Sequence, residues 1–347
     1  MTRILSLTTT AWRSFYQSQM AALEHADIEF TTLPVPGEHR ALEDDVQRRT
    51  PADYVRYLPQ VLREARGEYD VVHANYGLTA PFAVAASMLP TIDLPVVCTL
   101  WGGEYRNNQF EPLIRRATAH ADRVIVPSKA MADRVDRPCD VIPFPVDTDL
   151  FRPIPTATAR EHVGWDSTET NAETEAKPKA ETNTQTQPQT ERERIVLFPY
   201  APSRDEKNYP LAKRVVDDLR DELDYPISLR TVANQPYEEM PYYLNAADAV
   251  LLTSRFESGP MTIKEATACN TPVVSRDVGF AREVLTDVPN AAVASDDAAL
   301  RTHLAALLET GESADGRAAF TDYTVETMGS RLRTVYAQCL RETEAAQ

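Results

Sequence analysis

Short apolar runs rich in β-branched residues alternate with longer amphipathic stretches along most of the chain. In the first half, Ile4–Leu7, Ile28–Leu33, Asp70–His73, Val96–Leu100, Val124–Val126 and Val141–Ile142 read as strands, with helices over Ser14–Glu24 and Ala80–Met88. Apolar runs without strict alternation belong to strands covered on both faces, and helices between strands imply parallel pairing, because a parallel connection must cross over the sheet. The pattern restarts at Ile195. Strands over Ile195–Phe198, Ile227–Val232, Ala249–Thr253 and Val273–Ser275 frame helices at Leu211–Leu223 and after Pro260, and helical periodicity continues to the C-terminus. The expected fold class is therefore α/β, with two domains built on parallel sheets.

Between the two patterned halves, Asp166–Gln189 is almost entirely Thr, Glu, Asn, Gln, Ala, Lys and Pro. With no aliphatic side chain larger than Ala it cannot offset the entropy of ordering, so a disordered polar insertion is expected there. A tolerated surface insertion is the plain reading; a docking segment is the other. The expected organisation is an N-terminal domain over 1–153, a linker with the insertion over 154–193, a C-terminal domain over 194–320 and a final helix within 321–347.

Composition narrows the partners. The 36 basic residues stand against 52 acidic ones, a formal charge of −16. A surface of that sign repels nucleic-acid backbone and anionic lipid, so no nucleic acid is expected as partner, and any peripheral membrane contact would need an apolar patch. The only lysines are Lys129, Lys177, Lys179, Lys207, Lys213 and Lys264; arginine carries the rest of the positive charge, as expected of a halophilic protein. Cys98, Cys139, Cys269 and Cys339 form no CxxC or Cys/His cluster, which excludes the usual zinc spacings. With no long apolar span or signal-like start, a cytoplasmic location is expected.

Candidate chemistry concentrates in Leu251–Leu285, LLTSRFESGPMTIKEATACNTPVVSRDVGFAREVL. A strand leads through Gly259 and Pro260 into a helix, so around Pro260, which has no N–H of its own, the backbone amides of Ser258, Gly259 and Met261 should be free donors at a helix N-terminus beyond the strand ends. Glu257 lies on the turn and Glu265 inside the helix, where carboxylates can accept hydrogen bonds from polyol hydroxyls. A second constellation, FPYAPSRDEKNYPLAKRV, follows the first strand of the second half and places Arg204 and Lys207 in a loop opening a helix. Cations there can stabilise negative charge on a bound anionic group.

The first of these segments resembles the donor-sugar site of GT-B glycosyltransferases of family 4, with their Glu-x7-Glu motif inside S-x-x-E-G-x-P-x-x-x-x-E-A-x-A-C-x-x-P-V-V. Ser254, Glu257, Pro260, Glu265, Ala266, Ala268, Cys269, Pro272, Val273 and Val274 match, and Val278, Gly279 and Glu283 match the following V-G-x-x-x-E. The family's Gly after the first glutamate is Ser258 here. The Arg204–Lys207 loop is similar to the family's G-R-L-x-x-E-K loop, with Ala201-Pro202 in place of Gly-Arg. More loosely, YDVVHANYG, DLPVVCTLWGGEYRN, ADRVIVPSKAM and VIPFPVDTDLFRP follow the order of the family's N-terminal motifs, although Thr8, Thr9, Thr10 and Ala11 replace its glycine-rich loop.

The resemblance implies a GT-B fold, two Rossmann-like domains facing across a cleft, with the last helix crossing back to the N-terminal domain. It implies a retaining glycosyltransferase moving a sugar from a nucleotide-sugar donor to a glycan or lipid-linked acceptor hydroxyl in surface glycan synthesis, possible at the inner face of the membrane, with no cofactor and no metal. Glu257 would contact the donor sugar, Glu265 the ribose, and Arg204 and Lys207 the leaving group. His73, at a strand end, would serve as base or sugar ligand, a satisfied structural histidine being the alternative. Trp101, Gly102, Gly103 and Glu104 would line the acceptor side, with a core or rim role as the alternative. Asp147-Thr148-Asp149 has the form of a DxD metal motif but falls inside the family's crossover motif, so no metal ligands are expected. Two further classes share these signals: a GT-B phosphorylase or nucleotide-sugar epimerase, which would act without a glycosyl acceptor, and a non-catalytic partner subunit that binds nucleotide without turnover.

Overall fold

The structure, a computed structural model, describes residues 2–9, 11, 14–26, 28–37, 41–42, 45–46, 49–105, 109–165, 192–257 and 259–346. The expected insertion at Asp166–Gln189 lies outside the described residues, as do Thr10 and Ser258. The chain divides into two compact units, 1–145 together with 321–347, and 146–320.

In the first unit the strands are β1 (Arg3–Thr8), β2 (Glu29–Pro34), β5 (Val71–Ala74), β6 (Val96–Thr99), β7 (Arg123–Val126) and β8 (Asp140–Val141). A two-residue hairpin, β3 (Ala41–Leu42) and β4 (Asp45–Val46), stands apart from them. The six form one parallel sheet in the order β2-β1-β5-β6-β7-β8. Side chains alternate between its faces, and the apolar runs supply both. Leu5, Leu7, Val72, Ala74, Val96 and Cys98 pack on one side with residues of α2 (Pro51–Glu64), α3 (Ala80–Ser87) and α4 (Glu111–Thr118). Ile4, Val71, Val97 and Ile125 face the other way, onto α1 (Ser14–His25) and α12 (Val325–Ala346), the last helix, through Tyr16, Met20, Leu23, Met328, Leu332 and Tyr336. A Cβ on Gly329 would lie 2.2 Å from the Ala22 carbonyl oxygen, so only glycine lets α12 approach α1 this closely.

The second unit holds β9 (Arg194–Phe198), β10 (Ile227–Thr231), β11 (Ala249–Leu252), β12 (Val273–Arg276) and β13 (Ala291–Ala294), parallel in the order β10-β9-β11-β12-β13. Val196, Phe198, Leu251 and Val274 pack with α7 (Tyr209–Glu222) and α11 (Asp297–Thr310). The stretch expected as linker is partly structure. Helix α6 (Thr156–His162) docks on α8 (Met240–Ala246): the Arg160 guanidinium donates to the Ala246 carbonyl at 2.9 Å and to Asp248 at 2.7 Å. One short helix without a wide apolar stripe leaves little trace in sequence; besides Arg160, its His162 ring stacks on Tyr242 of α8 at 3.7 Å and Ala159 is buried. The first unit likewise ends at 145 and not 153; Phe151 is fully buried in the second unit and its carbonyl accepts from Arg317 at 2.7 Å.

In each sheet the connections leave in opposite directions at one place, between β1 and β5 and between β9 and β11. Such switch points open a crevice at the carboxyl ends of the strands, where α/β proteins bind ligands. Among the described residues no helix is long and apolar enough to cross a membrane.

Candidate active site

The loops after β9 and β11 flank the switch point of the second unit and are bonded to each other. The Thr253 hydroxyl lies 3.0 Å from the carbonyl oxygens of Lys207 and Asn208, and the Arg255 N–H donates to the Glu206 carbonyl at 2.9 Å. Asn208 turns the chain in the left-handed region, at φ 59°, before α7 begins. These contacts bring Lys207 and Glu257, fifty positions apart, into a hydrogen-bonded ion pair. The Lys207 ammonium also sits 4.0 Å above the centre of the Tyr200 ring, and the Ser254 hydroxyl donates to Glu257 Oε1 at 2.7 Å. Lys207 is 5% exposed, and burial lowers its pKa against the opposing pull of Glu257. Arg204, by contrast, is half exposed, paired with Glu206 at 2.6 Å and 5.8 Å from the centre of the Tyr200 ring.

Downstream of Glu257 the loop is held by packing. A Cβ on Gly259 would fall 2.2 Å from Cε1 of Phe280, so the ring rests directly on the glycine backbone. Helix α9 runs Met261–Ala268, with Pro260 at its N-cap instead of inside the first turn, and the Ile263 N–H bonds to the Pro260 carbonyl. The Met261 and Thr262 amides are thus the leading N–H groups of that helix. Ser258 lies outside the described residues. Glu265, 5% exposed, accepts from the Tyr237 hydroxyl at 2.9 Å, and burial pushes its carboxyl up to about 7. The structure thus gathers Glu257, Lys207, Gly259, Pro260, Met261 and Glu265 at one sheet end, with Arg204 at the rim.

Two aromatic members of this site carried no sequence-level role. Tyr200 stands between the charged groups: burial raises its phenol pKa, with Glu257 and Glu265 adding to the rise. It follows β9 directly, so its place after a strand end was the available signal. Tyr237 reaches Glu265 from the connection between β10 and α8, with its ring edge-on to Phe151 at 5.3 Å; nothing local marks it.

The candidates in the first unit come out differently. His73 is fully buried in β5, with Nδ1 2.6 Å from the Tyr336 hydroxyl and Nε2 2.7 Å from the Thr99 hydroxyl. Burial lowers its pKa to about 3. Both nitrogens are engaged, so His73 is a structural histidine and not a base or sugar ligand. Trp101 and Glu104 are corrected in the same way. The Trp101 ring stacks on Phe144 at 4.7 Å and its indole N–H donates to the Asn75 carbonyl at 2.6 Å. Glu104 is fully buried, accepting from the backbone N–H groups of Gly77 and Trp101 at 3.0 and 3.1 Å, while burial raises its pKa. It clamps the glycine turn together and leaves no carboxylate for an acceptor. Gly102, at φ +101°, makes that turn, and Gly103 is exposed at its tip. Asp147 Oδ1 accepts from the backbone of Asp149 and Leu150, both at 3.0 Å. Among the described residues no group of three His, Cys, Asp or Glu side chains is placed to hold a metal.

Comparison with known proteins bears on both units. A profile of the glycosyl transferase 4-like domain matches residues 3–143, and one of glycosyl transferases group 1 matches residues 212–323. Two doubly wound parallel sheets, each matched by a glycosyltransferase profile, define the class: a sugar-nucleotide-dependent glycosyltransferase of the GT-B fold. The chain belongs to the glycosyltransferases of family 4. Among solved structures, sucrose-phosphate synthase from Thermosynechococcus elongatus is similar over 100% of both chains at 17% identity and a TM-score of 0.64. The Anabaena protein HepE in complex with UDP and glucose is similar over 97% of this chain and 100% of its own, at 14% identity and a TM-score of 0.66. A glycosyltransferase from Rickettsia africae covers 98% of each chain at 12% identity and a TM-score of 0.68. At such identities the likeness is one of fold. No curated protein matches the chain in sequence.

Proposed function

We propose that this enzyme transfers a sugar, with retention at the anomeric carbon, from a nucleoside diphosphate sugar held by the second unit to an acceptor hydroxyl. The observation that carries the reading is the Lys207–Glu257 pair at the β9/β11 switch point, with Glu265 eight positions further on. In the free enzyme the two charges neutralise each other. Donor phosphate oxygens compete for the Lys207 ammonium, and Glu257, released, accepts hydrogen bonds from the sugar. As the anomeric C–O bond to the diphosphate breaks, charge grows on the phosphate oxygen, where Lys207 and the half-exposed Arg204 stabilise it. Glu265 accepts the ribose hydroxyls in place of the Tyr237 hydroxyl.

The donor proposed first is a UDP-sugar, by analogy with the HepE complex with UDP and glucose. The acceptor is proposed to be a glycan or a lipid-linked glycan, the latter met at the inner face of the membrane. Turnover is proposed to need no metal, since the cations named above take that role. The deciding experiment is a thermal-shift screen of UDP-, GDP- and ADP-sugars, because a ligand bound by the native state alone raises the melting temperature. Product analysis of the best donor follows, with and without EDTA. Absence of both stabilisation and transfer with every donor refutes the reading; activity lost in EDTA and restored by manganese refutes metal independence.

A further inference from the structure

Lys264 is an unusual residue for its position. It lies in the first turn of α9, next to Glu265, with none of its side chain exposed. Burial drives its ammonium down to about 7, partly opposed by Glu283. A buried charge of this kind lowers stability, and an apolar side chain of similar length would serve the core at least as well. The surroundings show what it touches.

The Lys264 Nζ is set 4.4 Å above the centre of the Phe280 ring, a cation–π contact of the kind that strengthens when desolvated. Phe280 is itself 2% exposed, and its ring is the surface on which the Gly259 backbone lies, with no room for even one added carbon. The neighbouring Gly279 turns at φ +58°, and a Cβ there would meet Pro260 Cδ at 2.9 Å and the Glu257 carbonyl oxygen at 3.2 Å. The Gly279–Phe280 turn is therefore a wall against which Glu257, Gly259 and Pro260 are pressed. Lys264 grips that wall from the helix into which these residues lead.

We infer that Lys264 is a positioning residue for the donor site: its ammonium, held against the Phe280 face, fixes the ring that supports Gly259 and so the placement of Glu257. The inference rests on the reading of Glu257 as the sugar contact, and its first readout does not depend on any ligand.

The test compares wild type, Lys264→Met, Lys264→Arg and Glu257→Gln. In Lys264→Met the melting temperature stays equal or rises, while amide hydrogen exchange in the peptide covering 253–264 quickens by about tenfold or more and the strands β9, β11 and β12 keep their protection. Lys264→Arg, which keeps the cation, restores slow exchange. With UDP-glucose, kcat falls by about tenfold or more in Lys264→Met while UDP affinity stays within about twofold, as expected when the reacting end alone is misplaced. Unchanged loop exchange in Lys264→Met overturns the inference, and so does loosening spread evenly over the whole unit with a lowered melting temperature, which would mark a purely structural role. Full turnover in Glu257→Gln overturns the donor-site reading instead; reduced turnover there with normal turnover in Lys264→Met overturns only the role of Lys264.

Discussion

Replacing Glu257 by Gln removes the counter-charge of an ammonium that is only 5% exposed. Breaking a buried pair from one side generally costs about 3–5 kcal/mol, most of it the penalty of the charge left behind. Two contacts reduce that here. The Tyr200 ring, 4.0 Å from the ammonium, retains roughly 1–2 kcal/mol of cation–π attraction, and the Gln oxygen still accepts one hydrogen bond. The expected loss for Glu257→Gln is therefore about 1–3 kcal/mol. Lys207→Met strands the carboxylate instead, softened by the Ser254 hydroxyl at 2.7 Å, and falls in the same range of about 1–3 kcal/mol. The double variant leaves neither charge of the pair behind, so it should be no less stable than either single one, which makes the coupling at least as large as the greater single loss, about 1–3 kcal/mol. Equilibrium urea unfolding of the four proteins, read through one transition, measures it. A functional consequence accompanies this coupling. Freed of its partner, Lys207 should meet phosphate more readily, so Glu257→Gln tightens UDP binding by up to about tenfold while turnover collapses. Single losses that add within about 0.5 kcal/mol, or UDP binding weakened in Glu257→Gln, would refute the pairing argument.

Glu265, whose carboxyl is pushed up to about 7, accepts ribose hydroxyls best when ionised, so UDP affinity should rise as pH rises through that value. Glu265→Gln should flatten the profile and weaken binding by about 1–3 kcal/mol in calorimetric titration; a flat wild-type profile would exclude this role. His73 shifts stability in the opposite sense to a paired histidine. Its pKa is lowered from 6.5 to about 3 in the native state, so between those values the unfolded chain takes up a proton that the native one refuses, and stability falls as pH falls. The contribution is at most about 1.4 kcal/mol per pH unit, and His73→Gln should remove it from urea midpoints taken across that window; identical slopes in both proteins would contradict the assignment.

Sequence alone determined what depends on neighbours along the chain. Apolar runs such as Val71–Ala74 and Ala249–Leu252 specify buried parallel strands because the side-chain period and the length admit little else. The turn from β11 into α9 is local as well, and the spacing from Glu257 to Glu265 put both carboxylates at one sheet end. Tertiary structure decided the rest, for a common physical reason: the energies involved arise between residues far apart in sequence, where no periodicity records them. His73 reads equally as base or core until α12 delivers Tyr336, 263 positions later, to its Nδ1. Glu104 and Trp101 read as acceptor platform or as core or rim until the loops after β5 and β6 close around their polar atoms. Lys207 and Glu257 read as independent groups until Thr253 and Arg255 tie the two loops together. Lys264 reads as an ordinary helical lysine until Phe280, brought by the turn after β12, covers it, and desolvation gives its charge a cost that only its contacts can explain.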